Sequence, residues 1–298
     1  MTGSEFRLAG VELGGTKAIV VLGKGDEIIN RARVPIGAPE TTLGAIRELL
    51  DRWEEEGPID ALGIASFGPV GVIAGRDDYG RLLKTPKPGW SGIDILGSLS
   101  PAIGGPATIH TDVTAAALAE GEWGAARGCA DHVYMTVGTG IGIGIISGGR
   151  PIVGQLHPEG GHVRVSRLAG DEFQGSCPFH GDCLEGLASG PAIAARTGHE
   201  GGSLCDDDPA WEPVVDALAE AAANLFLTLS SDRIVMGGGV INQRTWLVER
   251  IARRCSEKLG GYLPYIGDFA PILPAALGED AGPRGALFLA RACLSDRY

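Results

Sequence analysis

Basic residues are scarce in this 298-residue sequence, with 25 Lys and Arg against 37 Asp and Glu and a formal net charge of −12. A surface of this sign repels phosphodiester backbones, which argues against nucleic-acid binding. Any phosphate that binds must therefore be held locally, by backbone N–H groups and a metal ion. The hydrophobic share of 44% is that of an ordinary globular protein and argues against a disordered chain.

A long apolar run is also missing. The longest, residues 133–146, is interrupted by Thr136, Thr139 and four glycines. It is also shorter than the roughly 20 residues that a membrane-spanning helix needs. The opening segment, MTGSEFRLAG, lacks the basic region followed by an apolar region that is typical of a signal peptide. We therefore predict a cytoplasmic protein without a membrane partner, in which residues 1–6 are either a tag remnant or a natural lead-in.

The six cysteines do not form a disulfide pattern, because only Cys177 and Cys183 lie close together in the sequence. The Cys-x2-His-x2-Cys spacing around His180 lets one tight loop supply three metal ligands, and His162 can complete the set from another segment. Two thiolates and two imidazoles suit a tetrahedral Zn²⁺ ion. We predict a metal site at these four residues; ordinary core cysteines and histidines are the alternative.

Glycine, in contrast, is abundant at 48 residues, and it is clustered. Residues 9–22 and 132–147 each predict a strand, a glycine-rich turn and a second strand. The chain therefore has two similar halves, and we expect two α/β domains with a cleft between them.

Three glycine turns are candidates for phosphate binding, because glycine lets backbone N–H groups converge on an anion. The residues are Gly14, Gly15, Thr16 and Lys17 in the first turn, Gly138, Thr139, Gly140 and Gly142 in the second, and Gly237, Gly238 and Gly239 in the third. The sequence has neither a P-loop pattern nor a dinucleotide-binding GxGxxG pattern at these turns. Each turn alone is equally consistent with a plain tight turn.

Asp112 follows a short predicted strand and begins a predicted helix. Phosphoryl transfer to an alcohol needs a carboxylate that orients the hydroxyl group and accepts its proton. The positive end of the helix dipole favours the ionised carboxylate at this position. Asp is also a preferred helix N-cap, so its position alone leaves both roles open.

These motifs together resemble one family. The segments that carry the resemblance are ELGGTK (12–17), SFGPV (66–70), TPKPGW (85–90), TDVTAAALAE (111–120), VGTGIGIG (137–144), HPEGGH (157–162), CPFHGDCLEGLASGPAI (177–193) and MGGGV (236–240). They are similar to those of the ROK family (repressor, open reading frame, kinase), and within it to those of the bacterial fructokinase branch.

The resemblance implies a two-domain α/β fold of the actin-like, ribonuclease H-like ATPase type, with an interdomain cleft. It implies an N-terminal domain of residues 1–114 and a C-terminal domain of residues 115–281 that carries the zinc loop. The closing helix, about residues 282–298, is expected to pack back on the N-terminal domain. A homodimer is also implied.

The activity that the resemblance implies is ATP-dependent phosphorylation of a hexose, D-fructose to fructose 6-phosphate, with Mg²⁺ on the nucleotide and Asp112 as general base. The three turns and Pro191 would bind ATP, and the zinc would be structural. The sugar would be bound by Thr111, Asp112, Glu159, His162 and Glu185. Glucokinase, mannokinase and N-acetylmannosamine kinase activities stay open, as does a non-catalytic sugar-binding protein. A transcriptional repressor is disfavoured, because ELGGTK begins at residue 12 and leaves no room for a DNA-binding domain.

The sequence departs from the family pattern at three positions. Thr111 stands where many relatives have Asn, and His180 replaces the middle one of three cysteines. Glu12 stands where relatives usually have Asp, and it is expected to orient hydrated Mg²⁺. The TPKPGW loop is expected to cover the sugar pocket. Lys84 and Lys87 could steer an anionic nucleotide or solvate this loop, and we favour solvation.

Overall fold

The computed structural model describes residues 6–199 and 204–294, so the suggested lead-in lies outside the described residues except for Phe6. The strands are Arg7–Leu13 (β1), Lys17–Lys24 (β2), Glu27–Pro35 (β3), Ala61–Ser66 (β4), Ala107–Thr111 (β5), His132–Val137 (β6), Ile141–Ser147 (β7), Arg150–Pro151 (β8), Arg233–Gly237 (β9) and Ile272–Pro274 (β10). The helices are Pro39–Glu56 (α1), Ile95–Leu99 (α2), Asp112–Trp123 (α3), Leu184–Ala188 (α4), Gly190–Thr197 (α5), Trp211–Leu229 (α6), Gly239–Gln243 (α7), Trp246–Leu259 (α8) and Ala281–Cys293 (α9).

Two mixed sheets repeat one topology. The first has the strand order β3-β2-β1-β4-β5 and the second has the order β10-β9-β6-β7-β8. In the first sheet β1 pairs antiparallel with β2 and parallel with β4, and in the second β6 pairs antiparallel with β7 and parallel with β9. The repeat confirms the predicted α/β architecture with two related halves.

The described chain forms two compact units. The first contains the described residues up to Ala119, the segment Arg150–His157 and the described residues from Glu279 onward. The second contains Glu120–Gly149 and the described residues of Pro158–Gly278. The boundaries at residues 114/115 and 281/282 stay a sequence-based prediction.

In the first unit, the closing helix α9 packs closely on the sheet. A Cβ on Gly63 of β4 would lie only 1.9 Å from the carbonyl oxygen of Ala286, and one on Gly10 of β1 would lie 3.1 Å from the Ala286 Cβ. Helix α1 buries Ile46, Leu50 and Trp53 in the core of the same unit. Strand β4 is buried at every position, as expected of a parallel strand that is covered on both faces.

In the second unit, the buried carboxylate of Glu120 joins the end of α3 to the segment after β10. It accepts hydrogen bonds from the backbone N–H groups of Ala125, Ala276 and Leu277 at 2.6, 3.2 and 2.9 Å. The burial of this charged group is therefore compensated by three donors. Within the described part of the chain, no helix has both the length and the apolar character that crossing a bilayer requires.

Candidate functional site

The first glycine turn joins β1 to β2 in the first unit. The N–H of Gly14 donates to the carbonyl oxygen of Lys17 at 3.1 Å and closes the turn. Gly15 and Thr16 are exposed at its tip. Lys17 Nζ lies 3.6 Å from the carboxylate of Glu279. The tip is therefore open to an anion, while the ammonium of Lys17 is paired with a carboxylate.

Asp112 is the first residue of α3, directly after β5. Its Oδ1 accepts a hydrogen bond from the N–H of Val113 at 2.8 Å. The cap of this helix is Thr111, whose Oγ1 accepts from the N–H of Thr114 at 3.3 Å and donates to the Thr114 hydroxyl at 2.8 Å. Of the two roles that the sequence leaves open for Asp112, capping therefore belongs to Thr111. The Asp112 carboxylate lies at the positive end of the helix dipole. The role of Thr111 in substrate binding stays a prediction.

A second carboxylate, that of Glu12, interacts electrostatically with Asp112. Burial first, and then the charge of Asp112, raise the pKa of Glu12 from 4.5 to about 7. Gly282, near the start of α9, has no side chain and so leaves room for the Glu12 carboxylate. A Cβ at this position would lie only 2.1 Å from Glu12 Oε1. A half-buried carboxylate beside a second negative charge fits a divalent cation such as Mg²⁺, which would offset both charges.

His110 lies in β5, two residues before Asp112, and is buried. Its Nδ1 accepts a hydrogen bond from the N–H of Thr111 at 2.8 Å. Burial first, and then the neighbouring His157, lower the pKa of His110 to about 3. The ring is therefore neutral at pH 7 with its proton on Nε2, and it supports the junction between β5 and α3.

In the second unit, the second and third glycine turns meet at the start of α5. The N–H of Gly138 donates to the carbonyl oxygen of Gly140 at 2.9 Å, and the carbonyl oxygen of Gly138 accepts from the N–H of Gly190 at 2.7 Å. A Cβ on Gly138 would lie 3.6 Å from the backbone nitrogen of Gly239. Pro191 is exposed in the first turn of α5. Bare backbone from three segments therefore forms one surface, on which a nucleotide can approach N–H groups closely.

The third turn passes directly from β9 into α7, which begins at Gly239. Gly238 has a φ of 90°, and a Cβ on it would lie 2.5 Å from the carbonyl oxygen of Val137. Both the backbone conformation and the available space therefore require glycine at this position. Gly142 lies within β7, and Gly237 is the last residue of β9.

Three residues that the resemblance assigns to sugar binding come together in the second unit. Glu185 in α4 accepts a hydrogen bond from the N–H of Ile141 at 2.9 Å through Oε2. Burial raises the pKa of Glu159. The charge of His162 lowers this pKa, and the charge of Glu185 raises it. Glu159, His162 and Glu185 therefore share one electrostatic environment. Two carboxylates and an imidazole supply the acceptors and donors that adjacent sugar hydroxyls need.

The four predicted metal ligands also come together, and their ligand atoms all lie within 4.8 Å of one another. His162 Nδ1 is 3.7 Å from Cys177 Sγ and 3.6 Å from Cys183 Sγ. His180 Nδ1 is 3.7 Å from Cys177 Sγ. With Zn–S and Zn–N bonds of about 2.3 and 2.0 Å, tetrahedral ligation separates S from N by about 3.5 Å. The four side chains therefore fit Zn²⁺, and a closed set of four ligands is typical of a structural site.

Local contacts hold the metal loop in shape. Cys177 and Gly181 exchange two backbone hydrogen bonds of 3.1 and 2.9 Å, and Gly181 has a φ of 65°. Arg164 forms an ion pair with Asp182 and donates to the carbonyl oxygen of His180 at 3.2 Å. These contacts maintain the tight turn through which one loop presents three ligands.

Comparison with known proteins is consistent with this geometry. The chain matches the ROK family model over residues 8–293. This protein belongs to the ROK family. It is 40% identical over 292 residues to a fructokinase of Pediococcus pentosaceus. This alignment covers 97% of this chain and 99% of the relative. The likeness to the fructokinase branch is thereby confirmed.

Solved structures of ROK proteins have the same fold. The ROK hexokinase from Thermus thermophilus gives a TM-score of 0.81 at 27% identity and covers 98% of this chain and 100% of its own. A ROK family glucokinase from Streptomyces griseus, solved in complex with glucose and AMPPNP, gives a TM-score of 0.75 at 25% identity, with coverage of 96% and 99%. The predicted fold class, the two-domain actin-like type, is confirmed.

The predicted site residues of this ROK protein fall into two groups. The first unit holds the turn Gly14–Lys17 with Thr111 and Asp112, and the second holds the other glycine turns, Pro191, the sugar-binding candidates and the metal ligands. Sequence reasoning missed Gly282, whose lack of a side chain makes room for Glu12. Gly282 is the second residue of α9 and precedes Pro283, a position at which glycine is unremarkable, so the sequence gives no signal of this role.

Proposed function

We propose that this protein is an ATP-dependent hexose kinase that converts D-fructose to fructose 6-phosphate. The observation that carries the proposal is the 40% identity to a fructokinase over nearly the full length of both chains. A carboxylate at a helix N-terminus and glycine turns with open backbone support it, because they can supply the base and the phosphate-binding donors of phosphoryl transfer to an alcohol.

Asp112 is the general base of the proposed reaction. It accepts the proton of the sugar 6-hydroxyl as the oxygen attacks the terminal phosphorus of ATP, and ADP leaves. The helix dipole favours the ionised carboxylate, which is the form that a base needs. Because Thr111 caps α3, the Asp112 carboxylate is not required as the cap of this helix.

The glycine turns are proposed to bind ATP through backbone N–H groups, which compensates for the scarcity of basic residues in this chain. Mg²⁺ offsets the phosphate charge when it is bound with the nucleotide. Glu12 would hold the hydrated ion, since its half-buried carboxylate interacts with the charge of Asp112.

The sugar hydroxyls are proposed to bind to Glu159, His162 and Glu185. In the zinc geometry, His162 Nδ1 faces both thiols, so its Nε2 carries the proton and can donate to a hydroxyl group. One imidazole can therefore serve both the metal and the substrate. Zn²⁺ would supply no chemistry to the reaction and would fix the orientation of His162.

The test is a coupled ADP-release assay with ATP, Mg²⁺ and a panel of fructose, mannose, glucose and N-acetylmannosamine. We expect fructose to give the highest kcat/KM. A different preferred sugar would overturn the substrate assignment and leave the reaction class in place. If no sugar is turned over but one of them raises the melting temperature, a non-catalytic sugar-binding protein replaces the kinase. The homodimer also stays a prediction, which light scattering on the purified protein tests.

A further inference from the structure

Lys87 lies beside the first glycine turn, although we expected it to solvate its loop. Its Nζ donates a hydrogen bond to the carbonyl oxygen of Gly15. The same ammonium lies 5.0 Å from the centroid of the Phe67 ring, a cation–π distance. The structure corrects the expectation: the side chain turns inward to the tip of the turn at which phosphate is proposed to bind.

A buried tryptophan anchors the loop that carries Lys87. Trp90 is fully buried, and its Nε1 donates to the carbonyl oxygen of Gly37 at 3.1 Å. Its ring packs edge-on against Phe67 with centroids 5.3 Å apart, and the backbone N–H of Trp90 donates to the Lys87 carbonyl oxygen at 3.2 Å. Lys87 is therefore held on a fixed backbone rather than on a freely moving loop.

The part of the chain that the structure describes places no counter-charge at the ammonium of Lys87. Among residues 6–199 and 204–294 no carboxylate forms an ion pair with it, and its partners are a neutral carbonyl and an aromatic ring. The other lysine at this turn, Lys17, is instead paired with Glu279. Burial lowers the pKa of Lys87. A partly desolvated ammonium without a carboxylate partner is a binding group for an anion.

We propose that Lys87 is a catalytic residue that donates to the terminal phosphoryl group of a nucleoside triphosphate bound at the first glycine turn. This inference rests on the proposed kinase function. The bond from the sugar oxygen to the terminal phosphorus forms, the bond from that phosphorus to the bridging oxygen breaks, and the electron pair leaves with ADP. The hydroxyl proton goes to Asp112. Lys87 stays protonated and offsets the charge on the phosphoryl oxygens in the transition state.

The test variant is Lys87→Met, which keeps the length of the side chain and removes its charge. Lys84→Met is the matched control, since Lys84 is an exposed lysine of the same loop. We expect kcat with fructose to fall about 100-fold in Lys87→Met, the effect of losing one transition-state donor. Lys87→Arg keeps the charge and should restore part of the rate. Lys84→Met should change kcat less than about twofold.

Nucleotide binding separates this role from a merely structural one. Lys87→Met should weaken the binding of AMPPNP but not that of ADP, because only AMPPNP carries the third phosphate. An equal loss of affinity for both nucleotides would overturn the proposal, since Lys87 would then only hold the turn. A loss of rate that Lys84→Met shares would also overturn it. If the wild-type protein phosphorylates no sugar, the kinase proposal fails, and the AMPPNP and ADP affinities still decide the role of Lys87.

Discussion

Lowering the pH from 7 to 5 is expected to destabilise this protein through His110. Folding lowers the pKa of this ring to about 3, whereas a histidine in an unfolded chain titrates near about 6.5. Because the folded pKa is the lower one, the stabilisation is complete above the unfolded pKa and is lost progressively as the pH falls toward 3. The physical reason is that a protonated ring would be buried and would lose the hydrogen bond that Nδ1 accepts from Thr111. At pH 5 the loss in the free energy of unfolding is about 2 kcal/mol, at about 1.4 kcal/mol per pH unit.

The assay is urea unfolding of the wild-type protein and of His110→Asn at pH 7 and pH 5. Asn keeps an acceptor near the position of Nδ1 and does not titrate, so the variant should lose about 2 kcal/mol less than the wild type between the two pH values. Groups that titrate in both proteins contribute equally to the two losses, so the difference between the losses measures the contribution of His110. His199→Asn removes an exposed histidine and should keep the wild-type loss. Equal losses in the wild type and His110→Asn would refute the reasoning.

Three further changes test the fold and the metal site. Gly63→Ala places a Cβ 1.9 Å from the carbonyl oxygen of Ala286 and should lower the free energy of unfolding by about 3 kcal/mol, measured by urea unfolding. Glu120→Gln replaces one carboxylate oxygen by an NH2 donor, which then faces at least one of the three backbone N–H groups, and should cost about 2 kcal/mol in the same assay; wild-type stability would contradict that geometry. Metal analysis should find bound zinc in the wild type and in Cys205→Ser, at an exposed cysteine, but not in Cys183→Ser, which removes a ligand. Zinc bound equally by both variants would exclude the four-ligand site.

Features that depend on neighbours in the sequence could be predicted. The strand–turn–strand pattern at residues 9–22 corresponds to β1 and β2, and the pattern at residues 132–147 corresponds to β6 and β7. The metal ligands could be recognised because three of them lie within one short loop whose spacing is fixed by local turn geometry. The start of α3 at Asp112 was readable for the same reason.

Features that depend on distant contacts could not be predicted. The side chain of Lys87 reaches Gly15, far away in sequence, so its loop gave no sign that it is turned inward. The space that Gly282 leaves for Glu12 exists only once α9 has packed on the sheet. Helix α7 begins at Gly239 because Gly238 fits closely against β6. A run of glycines in the sequence does not reveal this contact.

The most direct test of the central proposal is the turnover of fructose by Asp112→Asn. Asn keeps the size of the side chain and the start of α3 but accepts no proton. We expect kcat to fall about 1000-fold, while the melting temperature stays that of the wild type and fructose still raises it. A variant that folds, binds fructose and keeps a kcat within about tenfold of the wild type would contradict the assignment of Asp112 as the base.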